Sequence, residues 1–150
     1  MKKAFTMIEL IFVIVIIGIL SAVAIPRLQM TRDDALIANN SQYIVGIMTE
    51  ISTYSTANGE SENNLSQMSS ILQTLQLDNR VVIDTTNKSA KVKIGEDEAC
   101  ITIDIDTTST TDWLKTVFSV GTTDRVCHQV QEFIKEKDYP LVLRGRLIKY

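Results

Sequence analysis

The sequence predicts an α+β fold: a long N-terminal α-helix packed against a small, mostly antiparallel β-sheet. Three observations predict it. Residues 1–26 read MKKAFTMIELIFVIVIIGILSAVAIP, with no charged side chain between positions 10 and 26. Apolar residues then recur at spacings of three and four as far as Tyr54. Beyond position 56, short alternating runs are separated by polar turns.

The long helix comes first. Leu28, Ala35, Ile37, Ala38, Ile44, Ile47, Met48, Ile51 and Tyr54 form one stripe, with Arg27, Arg32, Asp33, Asp34, Asn40 and Glu50 on the polar side. Residues 5–54 as one helix span about 75 Å. Gly18 and Pro26 are its two breakers. Pro26 lacks a backbone donor and should kink or locally open the helix, whereas glycine is tolerated in apolar helices and permits close approach. Residues 56–64 read TANGESENN, with the turn signal Asn58-Gly59. Residues 65–77 predict a short amphipathic helix built on Leu65, Met68, Ile71, Leu72 and Leu75 and ended by Asp78-Asn79. Strands are predicted at 81–84, 90–94 and 100–106, with Ile101, Ile103 and Ile105 on one face. An acidic turn over 95–98 and a polar turn over 107–112 join them to the rest. Residues 113–120 fit either a strand or a short helix, with Trp113 assigned to the core and Tyr150 to the surface. Residues 126–135 predict a helix with Val126, Val130, Phe133 and Ile134 inward, and 141–150 a final strand after Pro140.

Composition sets further bounds. The 150 residues, 45% hydrophobic, suffice for one domain. Net charge is -3; setting aside Lys2, Lys3 and Glu9 leaves 13 basic and 17 acidic residues. An acidic surface attracts neither DNA nor anionic lipid, so no direct nucleic-acid binding is expected. Arg144, Arg146 and Lys149 form a local basic group, read as a solvated edge. Cys100 and Cys127 have no third cysteine to compete with them. In an oxidising compartment they would close a loop worth roughly 3–4 kcal/mol in chain entropy. Metal-type cysteine spacing is absent.

The N-terminal segment has two ordinary readings. A secretory signal would explain the basic start, the apolar run and the Ala22-Val23-Ala24 element. It leaves Glu9, at the entrance of the run, without a purpose. A plain anchor fits Lys2 and Lys3 as cytoplasmic charges by the positive-inside rule, with the remainder extracytoplasmic. Residues 10–26 alone span roughly 25 Å, short of a hydrocarbon core of about 30 Å. Adding residues 5–8 makes the span adequate but carries Glu9 below the interface, where a lone carboxylate is costly.

The segment Lys2-Lys3-Ala4-Phe5-Thr6-Met7-Ile8-Glu9-Leu10, followed by Ile16-Ile17-Gly18-Ile19-Leu20-Ser21-Ala22-Val23-Ala24-Ile25-Pro26, resembles the type IV pilin-like proteins, the group of type IV pilins and type II secretion pseudopilins. The resemblance implies a leader at 1–4 carrying Lys2 and Lys3, cut by a prepilin peptidase between Ala4 and Phe5. It also implies N-methylation at Phe5. Ala4 departs from the family's usual glycine before the cut. The implied organisation is a membrane and filament-core half at 5–26, an amphipathic half at 27–55 and a periplasmic head at 56–150. Implied partners are copies of the chain or related subunits, the peptidase, an inner-membrane platform protein and a cytoplasmic assembly ATPase. In the family, helicity between residues such as Gly18 and Pro26 can be lost in the filament. Glu9 stands beside that resemblance on physical grounds. An unpaired carboxylate in a low-dielectric layer costs several kcal/mol, and the Phe5 amine of a neighbouring subunit would neutralise it.

No enzymatic chemistry is legible. His128 is the single histidine, and Asp112, Asp124 and Glu132 are its candidate carboxylate partners. No G-x-S-x-G, H-E-x-x-H or phosphate-cradling loop occurs. No cofactor is expected. Calcium stays a candidate because Glu96, Glu98, Asp104, Asp106, Asp112 and Asp124 are hard oxygen ligands and some pseudopilins bind it, but EF-hand spacing is absent. Two functional classes follow: a subunit of a pilus or secretion pseudopilus, and a monomeric membrane-anchored binding module. The motif does not separate pilus from pseudopilus.

Overall fold

A computed structural model describes residues 5–108, 111–135 and 140–143. The chain divides into two compact units, Met1–Leu36 and Ile37–Tyr150. Helix α1, Met7–Asn58, contributes to both. In the first unit it is exposed along nearly its whole length: Phe5, Ile8, Leu20 and Val23 lie open. The helix itself is continuous through Gly18 and Pro26. The local opening expected at Pro26 is therefore not found. A proline removes one donor, and the turns on either side keep the ladder.

In the second unit α1 becomes one-sided. Ile44, Ile47, Met48 and Ile51 are buried in a core shared with the sheet, while Val45, Thr49 and Thr53 stay outside. The helix outlasts the predicted end near residue 55 and stops at Asn58. Gly59, at φ 76°, supplies the left-handed residue that ends it, and its amide donates to the Ser55 carbonyl at 2.9 Å. The serines and threonines of the last turns do not break it, because Thr49, Thr53 and Thr56 donate to carbonyls four residues back.

The segment predicted as one helix over 65–77 is two. A 3-10 turn, Leu65–Gln67, precedes helix α2, Ser70–Leu77. Ser69 separates them as the N-cap of α2, accepting from the Leu72 amide at 3.2 Å. Glu50 of α1 organises the same end, accepting from the hydroxyls of Ser69 and Ser70 at 2.6 and 3.0 Å and from the Ile71 amide at 3.3 Å.

Five strands follow as an antiparallel meander: β1 Val81–Asp84, β2 Ser89–Ile94, β3 Asp97–Thr108, β4 Thr111–Phe118 and β5 Leu141–Val142, in that spatial order. Strand β3 begins three residues before its predicted start, which narrows the acidic turn to Gly95 and Glu96. Of the segment 113–120, residues 113–118 are strand and the last two lie beyond it. Within β4, Asp112, Leu114 and Thr116 face inward, so strand alternation places Trp113 on the opposite face, half-buried rather than in the core. Its register partners are Asp106 and Val142. Helix α3, Arg125–Ile134, buries Cys127, Val130 and Ile134. Phe133, predicted inward, is 67% exposed. A stripe at three- and four-residue spacing anchored on Cys127 leaves the position next to Ile134 outside. Tyr150, the basic residues Arg144, Arg146 and Lys149, and the predicted strand beyond Leu143 lie outside the described residues.

Two polar devices hold the β2–β3 turn, the first of them against α3. Asp124 caps α3 through the Cys127 amide at 2.8 Å and also accepts from the Glu96 amide at 3.0 Å. Gly95, at φ 63°, passes so close beneath Asp124 that a Cβ would collide with its carboxylate. Asp97 accepts from the Ala99 amide and the Ser119 hydroxyl. The Ala99 amide first, then Ser119 and Thr122, hold its carboxyl below the usual range against the opposing effect of burial.

Two outcomes are expected of the full chain in detergent micelles. Gly95→Ala destabilises the head by about 1–3 kcal/mol, since it adds a left-handed strain to a steric one; unchanged denaturant midpoints would contradict this. For Asp97 the folded-state carboxyl is the stronger acid, so its contribution is present above the ordinary carboxylate range near ~3.9 and is lost as pH falls through the lower folded value. Acid titration of wild type and Asp97→Asn should therefore converge in stability at low pH and separate above it.

Candidate functional site

The N-terminal end of α1 is assembled from Phe5, Thr6 and Glu9. The Thr6 amide and hydroxyl both donate to Glu9 Oε2, at 2.8 and 2.7 Å. The Glu9 amide points back at Thr6 Oγ1 at 3.4 Å. This is a reciprocal capping box, in which two otherwise orphaned amides of the first turn are satisfied by the pair of side chains. Its sequence signature is Thr-x-x-Glu directly before an apolar run. The motif reading gives Thr6 no role of its own, although that signature makes its capping position legible.

The capping box fixes what Glu9 can do. Its carboxylate sits at the N-terminal end of the helix, where the macrodipole is positive. One oxygen is engaged by Thr6, and Oε1 has no hydrogen bond among the described residues. The arrangement is an oriented acceptor with one oxygen open. Ala4, Lys2 and Lys3 lie outside the described residues. Phe5 is 82% exposed.

Behind the capping box runs the apolar stretch. Helix α1 is the single helix among the described residues long and apolar enough to cross a membrane, with an 18-residue window of mean hydropathy 3.0 and none of that window buried. Gly18 lies within it with open space around its Cα.

Residues 1–25 match the family described as the prokaryotic N-terminal methylation motif. The N-terminus carries the prepilin-type motif characteristic of type IV pilin-like proteins. The long apolar helix and the five-stranded antiparallel sheet match a pilin-like α+β fold. No curated protein and no solved structure matches the chain.

The remaining predicted residues are distributed through the head. Cys100 and Cys127 form a disulfide with a Cα–Cα distance of 5.7 Å, both fully buried. It fastens α3 to β3. Gln131 reinforces it, donating from Nε2 to the Cys100 carbonyl at 2.8 Å and to the Ser119 carbonyl at 3.3 Å. His128 is exposed, with Nδ1 3.9 Å from Glu132. Asp124 is occupied as a cap, and Asp112 is buried with its carboxylate accepting from Ser61 at 2.7 Å. His128 therefore has no carboxylate relay built from Asp112 or Asp124.

The six acids weighed as oxygen ligands fall in separate places. Glu96, Glu98 and Asp124 border an open cleft of about 330 Å³ together with Asp97. Asp104 and Asp106 lie on β3, and Asp112 on β4. Among the described residues, no group of three His, Cys, Asp or Glu side chains converges to hold a metal.

The disulfide is tested directly. Replacing both cysteines with serine should lower the stability of the full chain by roughly 2–4 kcal/mol, measured by denaturation with and without reductant. Equal stability of wild type and double variant would show that the crosslink is not formed in the native protein.

Proposed function

We propose that this chain is a structural, non-enzymatic subunit of a type IV pilus or a type II secretion pseudopilus. The prepilin-type motif over residues 1–25 carries this reading. The capping box supports it, because it presents a carboxylate at the mouth of an otherwise uncharged helix. In this reading a prepilin peptidase removes residues 1–4, cutting between Ala4 and Phe5, and Phe5 becomes the methylated N-terminus. Residues 5–26 hold the subunit in the inner membrane, with the N-terminus cytoplasmic and the head periplasmic. Residues 27–55 form the amphipathic half and 56–150 the head.

Assembly then follows from electrostatics. Removal of the leader deletes Lys2 and Lys3 and leaves one positive charge, the Phe5 amine. Glu9 lies one helical turn away on its own chain, already turned toward Thr6. The open carboxylate oxygen accepts the amine of the next subunit as water is excluded, an attraction that strengthens as the local dielectric falls. The pair sets the stagger between subunits. Apolar helix halves bundle behind it. A cytoplasmic ATPase acting through a platform protein supplies the work. The oxidising periplasm favours the disulfide between Cys100 and Cys127.

Two measurements test the reading. Mass determination of the mature chain from native membranes should show loss of Met1 to Ala4 and gain of one methyl group; an intact leader, or a cut after Ala24, rejects it. Glu9→Leu should accumulate in the membrane at the wild-type level while incorporation into sheared filaments falls at least tenfold. Normal incorporation would favour a monomeric anchored module instead.

A further inference from the structure

The loop that leads from α1 into the head carries a group that the assembly chemistry does not use. Residues 60–66 read ESENNLS, and Asn64-Leu65-Ser66 has the Asn-x-Ser spacing of an N-glycan acceptor. An amide nitrogen is a poor nucleophile because its lone pair is held in resonance with the carbonyl. A donor on the amide oxygen stabilises the charge left there as the nitrogen gives up a proton. The residue two positions on is placed to be that donor.

The structure brings the two groups together. Asn64 Oδ1 accepts from the Ser66 amide at 3.1 Å and from the Ser66 hydroxyl at 2.8 Å. Both bonds use the oxygen. Asn64 is half-buried, and its Nδ2 reaches solvent without a hydrogen-bond partner among the described residues. Leu65, between the two, is fully buried, so the tripeptide is anchored at its middle while the nitrogen stays open.

The sequence holds two other Asn-x-Ser stretches, and the fold treats them differently. Asn39-Asn40-Ser41 lies inside α1, where residues two apart do not face each other, and Ser41 is 1% exposed. In Asn87-Lys88-Ser89, Asn87 Nδ2 is engaged, donating to Asp84 Oδ2 at 2.7 Å. Of the three, Asn64 combines a free nitrogen with a hydroxyl on its own oxygen. Its loop also has anchors of its own. The Ser61 hydroxyl donates to Asp112 at 2.7 Å, and the Glu62 amide points at Met68 Sδ at 3.3 Å. A substituent on Asn64 Nδ2 disturbs neither. Glu62, two positions ahead of Asn64, offers a transferase a carboxylate to read.

We infer that Asn64 is an N-glycosylation site, served by an oligosaccharyltransferase whose donor is an oligosaccharide on polyprenyl pyrophosphate. Asn64 Nδ2 attacks the anomeric carbon of the first sugar. The C–N bond forms, the C–O bond to the pyrophosphate breaks, polyprenyl pyrophosphate leaves and one Nδ2 proton passes to a base of the enzyme. The transfer precedes closure of the head around Leu65, and the folded loop then holds the sugar outward. The inference rests on the periplasmic placement of the head, the side on which the transferase meets it.

The full chain isolated from native membranes is digested with trypsin and a glutamate-specific protease, which puts the three asparagines on separate peptides. Mass spectrometry should find an oligosaccharide on the Asn64 peptide. Asn64→Asp keeps the oxygen that accepts both Ser66 bonds and removes the nitrogen, so it should abolish the modification without unfolding the head. Ser66→Ala should lower the modified fraction at least tenfold, and Ser66→Thr should retain it. Asn39→Gln and Asn87→Gln should leave it at the wild-type level. A sugar on Asn39 or Asn87 in place of Asn64, or one that survives Asn64→Asp, overturns the inference. So does a bare Asn64 in chains whose leader is gone and whose cysteines are paired, with the proposed function left standing. A bare Asn64 in chains with an intact leader and free thiols overturns both.

Discussion

A single carboxylate in an otherwise uncharged apolar helix governs how this chain is organised. Glu9 opens a stretch in which no further charge occurs before Arg27. In lipid, a bare carboxylate at that depth is a large cost, and the chain answers it with the nearest donors it has, the amide and hydroxyl of Thr6. That answer is incomplete by one oxygen. A local cap steadies the helix start and keeps the acid oriented, but hydroxyl and amide donors leave its charge standing. Under the proposed assembly, a cation from outside the chain completes the pair.

The same constraint divides α1 into two kinds of helix. Its first half is apolar all round and exposed nearly all round, a surface consistent with a membrane anchor. Its second half has to stop being apolar all round, or the head would have no defined side to pack against. The change is visible at Asn40 and Ser41, where one-sided burial begins. From there polar side chains fasten the head at chosen points. Asn40 accepts from Arg80 at 2.5 Å, with the Arg80 guanidinium 5.5 Å over the Tyr43 ring. Glu50 holds the start of α2. Ser61 reaches Asp112 on β4. Apolar burial supplies the driving force here, and these directional contacts fix which segment meets which part of the helix.

Much of this was legible in the sequence where one periodicity acted alone. Strand β1 matches its predicted bounds, and Ile101, Ile103 and Ile105 are buried on one face of β3. Reading failed where a distant residue decided the outcome. The break before α2 depends on Glu50, 19 residues upstream of Ser69. Phe133 is outside because the disulfide partner Cys127 sets the buried stripe of α3. Trp113 is off the core because the pairing of β4 with β3 gave the inward positions to its neighbours, and size alone does not choose a face. At the site, the N-terminal methylation motif was readable, while the Thr6 cap, signalled by two residues alone, stood hidden beside it.

The sheet's margins bear on the same economy of contacts. A meander has two edges, and exposed edges invite pairing with other chains. Here β1 is four residues long and ends in Asp84, whose carboxylate is turned back on the Thr86 and Asn87 amides. A four-residue edge of this kind gives little template for strand addition. Under the proposed assembly, an edge that resists pairing leaves the alignment of subunits to the carboxylate at the helix mouth, whose Oε1 has no hydrogen bond among the described residues.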